Sequence, residues 1–488
     1  MGIITKELLG GENMKGRLII QREKGVTLIA LVVTIIVLLI LASVTITSVF
    51  GDNGILIKAQ EAANKIQNAL EKEQAELNQM YNELASAMNN TSEGDTDPDV
   101  PVEPELPSDG SYSEAKGVNT PSLGEGMTPI KWNGSTWVKT TEDDEEWYDY
   151  SAKKWANATT SDGSMWVWIP RYAYSITSGY HTNTAGTIEV EFMKGTSNEG
   201  ATGKKLVEYN STTTNNYANF PNGYVVHPAF VGDANVGGGY GNNNGESDNG
   251  ISGIWVAKFE ASNSSGEIKI EPGVQSWRNI SINDIYTNCL NYNSTLNSHM
   301  MKNSEWGAVA YLSKSVYGKN GEVTINSNSS NYTGGGSGNS YVNNGVQSTT
   351  GNVYGIYDMS GGAFEYVAAY VNNGDSALTS YGSSLANGDA KTKNVYAKGD
   401  DTRLGNYNAN TSKYGDAIYE TSSRTYNGIV NSGNSSWYSD YSYYPFSNNP
   451  FFARGGHYNM ESGAGTFCFY NLGFADGAYS FRPVLIVV

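Results

Sequence analysis

The sequence predicts an α+β protein in two parts, an N-terminal transmembrane and stalk helix followed by an irregular domain with long loops. Three observations predict it. Residues 26–49 carry no charge, all ten tryptophans lie at Trp132 or later, and from residue 128 short strand-like runs alternate with Asn/Gly/Ser tracts. The core therefore belongs to the C-terminal three-quarters of the 488 residues. The formal charge, 31 − 49 = −18, comes without any lysine- or arginine-rich block, which argues against a nucleic-acid partner.

Lys15, Arg17, Arg22 and Lys24 precede the uncharged run. Its 24 residues span roughly 36 Å as a helix, enough to cross a bilayer with some tilt and too long for the apolar core of a cleaved secretory signal. The positive flank predicts a cytoplasmic N-terminus. The expected location is the cell membrane, single-pass, with the C-terminal domain extracellular. Residues 1–25 read as a leader and 26–50 as the membrane helix.

The junction Lys24-Gly25-Val26-Thr27-Leu28-Ile29 resembles the type IV prepilin signal of bacteria. That resemblance implies a prepilin peptidase as partner, cleavage after Gly25 and methylation of Val26. The sequence departs from the family at Val26, where phenylalanine is usual, and at Ala30, where pilins carry the glutamate that pairs with a neighbouring amine in a filament. Anchoring is the expected role, and a minor pilin or pseudopilin subunit the alternative.

Residues 51–88 read as a helical stalk, with Ile66, Leu70, Leu77 and Leu84 recurring at helical steps. Residues 89–127 read as an acidic, proline-rich linker. Pro98, Pro101, Pro104 and Pro107 favour extended geometry, and the surrounding aspartates and glutamates repel one another.

The domain is placed at 128–488. A hairpin is expected at 130–138 on the Asn133-Gly134 turn, with strands at 165–171 and 254–260. Helices are expected at 282–296 and 303–316. The tracts 232–253 and 327–352 read as long surface loops. Cys289 and Cys468 are too few for a disulfide framework or a cysteine-rich metal site, and the four histidines never fall at ligand spacing. No phosphate-binding, zinc-protease, serine-hydrolase or EF-hand signature occurs. Asp358 and Glu365 are expected to be buried and hydrogen-bonded to backbone.

Three blocks fall in order: Glu305-Trp306 within 302–311, Tyr357-Asp358-Met359-Ser360-Gly361-Gly362 within 352–367, and Arg454-Gly455-Gly456 closed by Phe481-Arg482-Pro483-Val484. They resemble the formylglycine-generating, sulfatase-modifying-factor family over roughly residues 160–488. The resemblance implies a C-type-lectin-related α+β fold. The family's enzymes use two cysteines near the RGG to bind copper, whereas here only Cys468 follows it. One thiol does not make a two-thiolate soft site. Hence no catalytic residue, metal ligand or cofactor is assigned; a structural calcium held by loop oxygens would leave no signature. A divergent oxidase is the weaker alternative.

The C-terminal stretch also resembles the variable proteins of diversity-generating retroelements, which end soon after such a strand and vary between the RGG and that end. The resemblance implies a ligand-binding surface at His457, Tyr458, Asn459, Tyr470, Asn471, Leu472, Phe474, Ala475, Asp476, Ala478 and Tyr479. Independently of it, rigid tyrosines among small polar residues are the composition of a recognition surface. Phe467, Phe469 and Cys468 read as packing. The expected function is non-catalytic recognition of a protein or glycan ligand by a surface-displayed, adhesin- or receptor-like protein.

Overall fold

Two seven-stranded sheets and two helices carry most of the domain. The computed structural model describes residues 112–207, 223–241, 250–398, 414–423, 432–446 and 448–488. The leader, membrane helix and stalk, with Gly25 and Val26, lie outside the described residues. Among the described residues no helix is long and apolar enough to cross a membrane.

The first sheet is antiparallel throughout. Its order is His299–Met300, Pro483–Leu485, Gly253–Ala257, Met165–Pro170, Asn157–Thr159, Thr128–Trp132 and Trp137–Lys139. Met165–Pro170 is an unbroken buried run because it is central, with neighbours on both edges and packing on both faces. The expected hairpin forms, but Trp132 pairs with Trp137, so the connection has four residues, not two. The Asn133 carboxamide accepts from the backbone N–H groups of Ser135 and Thr136 and holds that longer loop.

The second sheet runs Asn394–Ala397, Phe364–Asn372, Phe451–Gly455, Gly465–Leu472, Tyr441–Tyr443 and Ser432–Asn434, and Tyr479–Phe481 pairs in parallel with residues 364–366. The last ten residues thus contribute to both sheets, with Arg482 at the crossing. A three-stranded sheet, Thr187–Phe192, Tyr172–Ser178 and Val225–Val226, completes the larger β structure.

Helix α1, Ile282–Tyr292, starts on Ser281, whose hydroxyl accepts from Asp284 N–H, and buries Ile282, Ile285, Tyr286 and Cys289 at helical spacing. It stops short of the expected residue 296 because Asn293 adopts an extended backbone before a separate 3-10 turn at Ser294–Leu296. Helix α2, Asn303–Lys314, is buried along nearly its whole length. Glu305 closes its first turn by accepting from Lys302 N–H at 2.8 Å.

The three sequence blocks meet in the core. The Trp306 ring lies 5.5 Å from the Arg454 guanidinium and 6.0 Å from that of Arg482, all three fully buried. Arg454 donates to the carbonyls of Cys468, Asp416 and Ala417 and to Asn303 Oδ1. Arg482 donates to the carbonyls of Ala257 and Tyr357, and its Nε meets Glu365 Oε2 at 2.6 Å in a two-pronged ion pair. Glu365 is therefore held by a side chain, not by backbone as expected. Asp358 does accept from backbone, at Gly334 N–H, and from Asn326.

Two boundaries differ from the composition-based reading. Residues 112–127, assigned to the linker, are packed on the domain: Asn119 is fully buried, donates to the carbonyls of Gly195 and Ser252 and accepts from Gly195 N–H. The tract 327–352, assigned to a surface loop, contains three 3-10 turns and buries Asn331, Thr333, Tyr341 and residues 348–350. Part of the tract 232–253 lies outside the described residues.

Candidate functional site

The candidate residues sit on the second sheet and on the two loops beside it. Along Gly465–Leu472 the final residues alternate, Phe469 and Asn471 buried, Tyr470 and Leu472 half-buried. The neighbouring strand alternates likewise, with Ser442 buried between half-buried Tyr441 and Tyr443. Period-2 geometry therefore brings Tyr441, Tyr443, Tyr470 and Leu472 to one face. The Tyr470 ring lies 5.8 Å from Tyr441, 5.3 Å from Tyr443 and 4.9 Å from Phe364. Phe364 in turn stacks with Tyr479 at 4.9 Å and with His457 at 6.1 Å.

The first loop is set by Gly455 and Gly456, with φ of +82° and +78°. A side chain at Gly456 would meet the Cα of Ala464 at 2.5 Å, so the turn requires glycine there. Beyond it, Tyr458 N–H donates to Gly362 carbonyl, and His457 Nδ1 meets Asn459 Oδ1 at 2.7 Å. Partial burial lowers the His457 pKa below the usual imidazole value, so the ring is neutral at neutral pH. His457 and Tyr458 are half-buried and Asn459 is exposed.

The second loop, 473–478, is pinned at several points. Tyr366 Oη donates to Phe474 carbonyl at 2.8 Å, Arg278 Nη1 to Gly477 carbonyl at 2.6 Å, and Asn279 N–H to Asp476 carbonyl. The Asp476 carboxylate accepts from Ala478 N–H. Ala475 is exposed, and Asp476 and Ala478 are half-buried. Phe474, 42% exposed, meets Tyr381, 40% exposed, at 6.1 Å edge to face. An exposed pair of large rings is the feature of this surface that packing alone leaves unexplained.

Two candidates are placed differently from the rest. Asn471 is 1% exposed and spends its amide on the carbonyls of Tyr443 and Tyr444. Tyr479 is 5% exposed and lies stacked between Phe364 and Tyr366. Both support the surface from beneath. Sequence reasoning in turn missed Tyr381, Tyr441, Tyr443 and Phe364. The Tyr441-Ser442-Tyr443 alternation was the available signal for two of them.

Cys289 and Cys468 are free, fully buried thiols. Burial pushes both pKa values well up, which keeps them protonated and poor as nucleophiles or soft-metal ligands. Among the described residues no group of three or more His, Cys, Asp and Glu is placed to hold a metal ion. No protein-family model matches the chain, and no curated protein is similar to it.

Proposed function

We propose that this is a surface-displayed ligand-binding protein, held in a bacterial cell membrane by residues 26–49, whose contact surface is the aromatic face around Tyr458, Tyr470 and Phe474. The supporting observation is the exposed Phe474–Tyr381 pair beside half-buried Tyr441, Tyr443 and Tyr470, all on pinned backbone. Rigid rings offer contact area at little entropic cost. On this reading the domain is a C-type-lectin-related fold and the ligand a protein or glycan. The buried thiols favour recognition over oxidase chemistry. Diversification of the surface predicts a DNA repeat near the gene that differs from the 457–479 coding stretch at adenines.

The test is the triple variant Tyr458→Ala/Tyr470→Ala/Phe474→Ala in the full chain, screened against a glycan array and a panel of extracellular proteins. Ligands bound by the native protein should be weakened about a hundredfold or more, the loss of two aromatic hot spots, with an unchanged far-UV spectrum. Undiminished binding by the variant overturns the assignment of this surface.

A further inference from the structure

A second concave feature lies away from the aromatic face, at the far end of α1. The segment leading into α1 touches the C-terminal stretch, since Asn279 N–H donates to Asp476 carbonyl, and the first turn of α1 touches the aromatic face, since Asn283 N–H donates to Tyr381 carbonyl. The helix is 11 residues long, roughly 16 Å, and its C-terminal part borders a pocket of about 350 Å³. The other walls are the turn 160–164 and the tip of the hairpin formed by Ser262–Ser264 and Glu267–Lys269.

The floor of this pocket is rigid. The Asp162 carboxylate accepts from Thr160 Oγ1 at 2.6 Å, from Ser164 Oγ at 2.6 Å and from Tyr292 Oη at 3.2 Å. Thr160 Oγ1 also meets Tyr292 Oη and accepts from the Trp166 indole, whose ring packs on Tyr292 at 5.5 Å. Above this fixed network stand Asn288 and Asn291, one helical turn apart, and Glu267 across the gap. These three side chains hydrogen-bond to no other described residue. Asn291 and Glu267 are exposed and Asn288 is half-buried, so their polar atoms are open to a ligand entering the hollow.

The chemistry of the lining selects the ligand. The volume lies at the lower end of the range for small-molecule sites, but the walls are mostly polar, so the ligand is small and polar. Asp162 and Glu267 face it with no lysine or arginine in the lining, which disfavours an anion. A calcium ion needs six to eight oxygen ligands, and the Asp162 oxygens are already accepting from hydroxyls. Amides that both donate and accept match hydroxyls, which do the same. We infer that the pocket between α1, the 160–164 turn and the 262–269 hairpin binds a neutral polyhydroxyl group, a single sugar unit, through Asn288, Asn291 and Glu267.

The probes are methyl α-D-mannoside, methyl β-D-galactoside and N-acetylglucosamine at millimolar concentration, read by saturation-transfer NMR on the full chain. At least one should receive transfer, with little dependence on added salt. Asn288→Leu/Asn291→Leu should weaken it about tenfold or more, and Glu267→Gln should weaken it less, as expected for loss of a few hydrogen bonds. The three residues lie at the surface, so a native far-UV spectrum is expected in each variant. The Tyr458→Ala/Tyr470→Ala/Phe474→Ala variant should retain transfer, which separates this site from the aromatic face. Absence of transfer to all three sugars, transfer insensitive to the double variant, or selective binding of calcium or an organic amine would overturn the inference.

Discussion

Lys258 shows how single residues set the terms of this core. It is fully buried with no carboxylate paired to it among the described residues, and burial depresses its pKa well below the usual lysine value. Yet its Nζ meets three acceptors, Asn157 Oδ1 and the carbonyls of Val353 and Gly355, at 2.7–2.9 Å, and lies 4.8 Å from the Trp137 ring centre. Three acceptors suit an ammonium, which has three donors and no lone pair. Glu305 and Glu420 contribute to the pH dependence with opposite signs. Burial pushes the Glu305 carboxyl up, but His299 and Lys302 together hold it at about 2. A depressed carboxyl stabilises the fold above its ordinary value near 4.5, and the contribution is lost as pH falls from there toward 2. It amounts to about 3 kcal/mol. Burial raises Glu420 to about 7, even though Tyr174, Tyr311 and Gly415 donate to it. Its contribution is present at acid pH and lost as pH rises from 4.5 through 7. Burial raises Glu365 to about 7 as well, so both carboxyls lower stability as pH rises between 5 and 7 in urea unfolding, and Glu420→Gln should make that fall shallower without abolishing it. Glu305→Gln should flatten the acid limb instead and lower stability at neutral pH. Unchanged profiles in both variants would contradict these assignments.

Elements decide which residues can reach a ligand, and composition does not. Asn471 has the same residue-type palette as Tyr470 and Leu472, but a strand turns alternate residues to opposite faces, and Asn471 turns inward. Asn471→Ala should cost about 1–3 kcal/mol by stranding two carbonyls, and Tyr479→Ala about 3–5 kcal/mol by emptying a packed aromatic site. Thermal unfolding would show both, whereas Phe474→Ala should leave the melting temperature nearly unchanged. The RGG, EW and FRPV blocks were legible because each places a buried arginine or its aromatic partner, and such residues are seldom buried without fixed partners. What the RGG arginine binds was not legible, since the carbonyls of Asp416 and Ala417 belong to a segment the sequence leaves unmarked. Gly456 lies at the hinge between scaffold and surface. Its φ of +78° and the 2.5 Å approach to Ala464 predict that Gly456→Ala costs about 1–3 kcal/mol, through strain and a backbone clash. The same change should displace His457 and Tyr458, so ligand affinity should fall along with the melting temperature.

At the scale of the whole domain, both ends of the described chain are tied to the first sheet. The C-terminus enters it as Pro483–Leu485, after Arg482 has clamped Glu365 of the second sheet to the Ala257 carbonyl of the first. The N-terminal residues add no strand there but fill its polar vacancies. Asn119 bridges Gly195 and Ser252, the Ser122 carbonyl accepts from the Trp255 indole at 2.7 Å, and Val118 is buried. Gly124 lies against Leu296 and Val487, where a side chain would collide with Leu296. Composition hid all of this, because Ser122, Leu123 and Gly124 read the same in a linker as in a packed strap. A fragment of residues 112–488 should therefore fold as a cooperative unit. One of residues 128–488 loses the Asn119 bridge, the indole's acceptor and the apolar cover of Val118. The combined loss is on the order of 5 kcal/mol, comparable to the whole stability of many domains. Denaturant titration of the two fragments, followed by tryptophan emission, reads the difference directly: the longer should unfold in one transition, while the shorter should unfold at much lower urea or fail to fold. Equal midpoints would mean that residues 112–127 contribute nothing and that the domain begins at residue 128 after all.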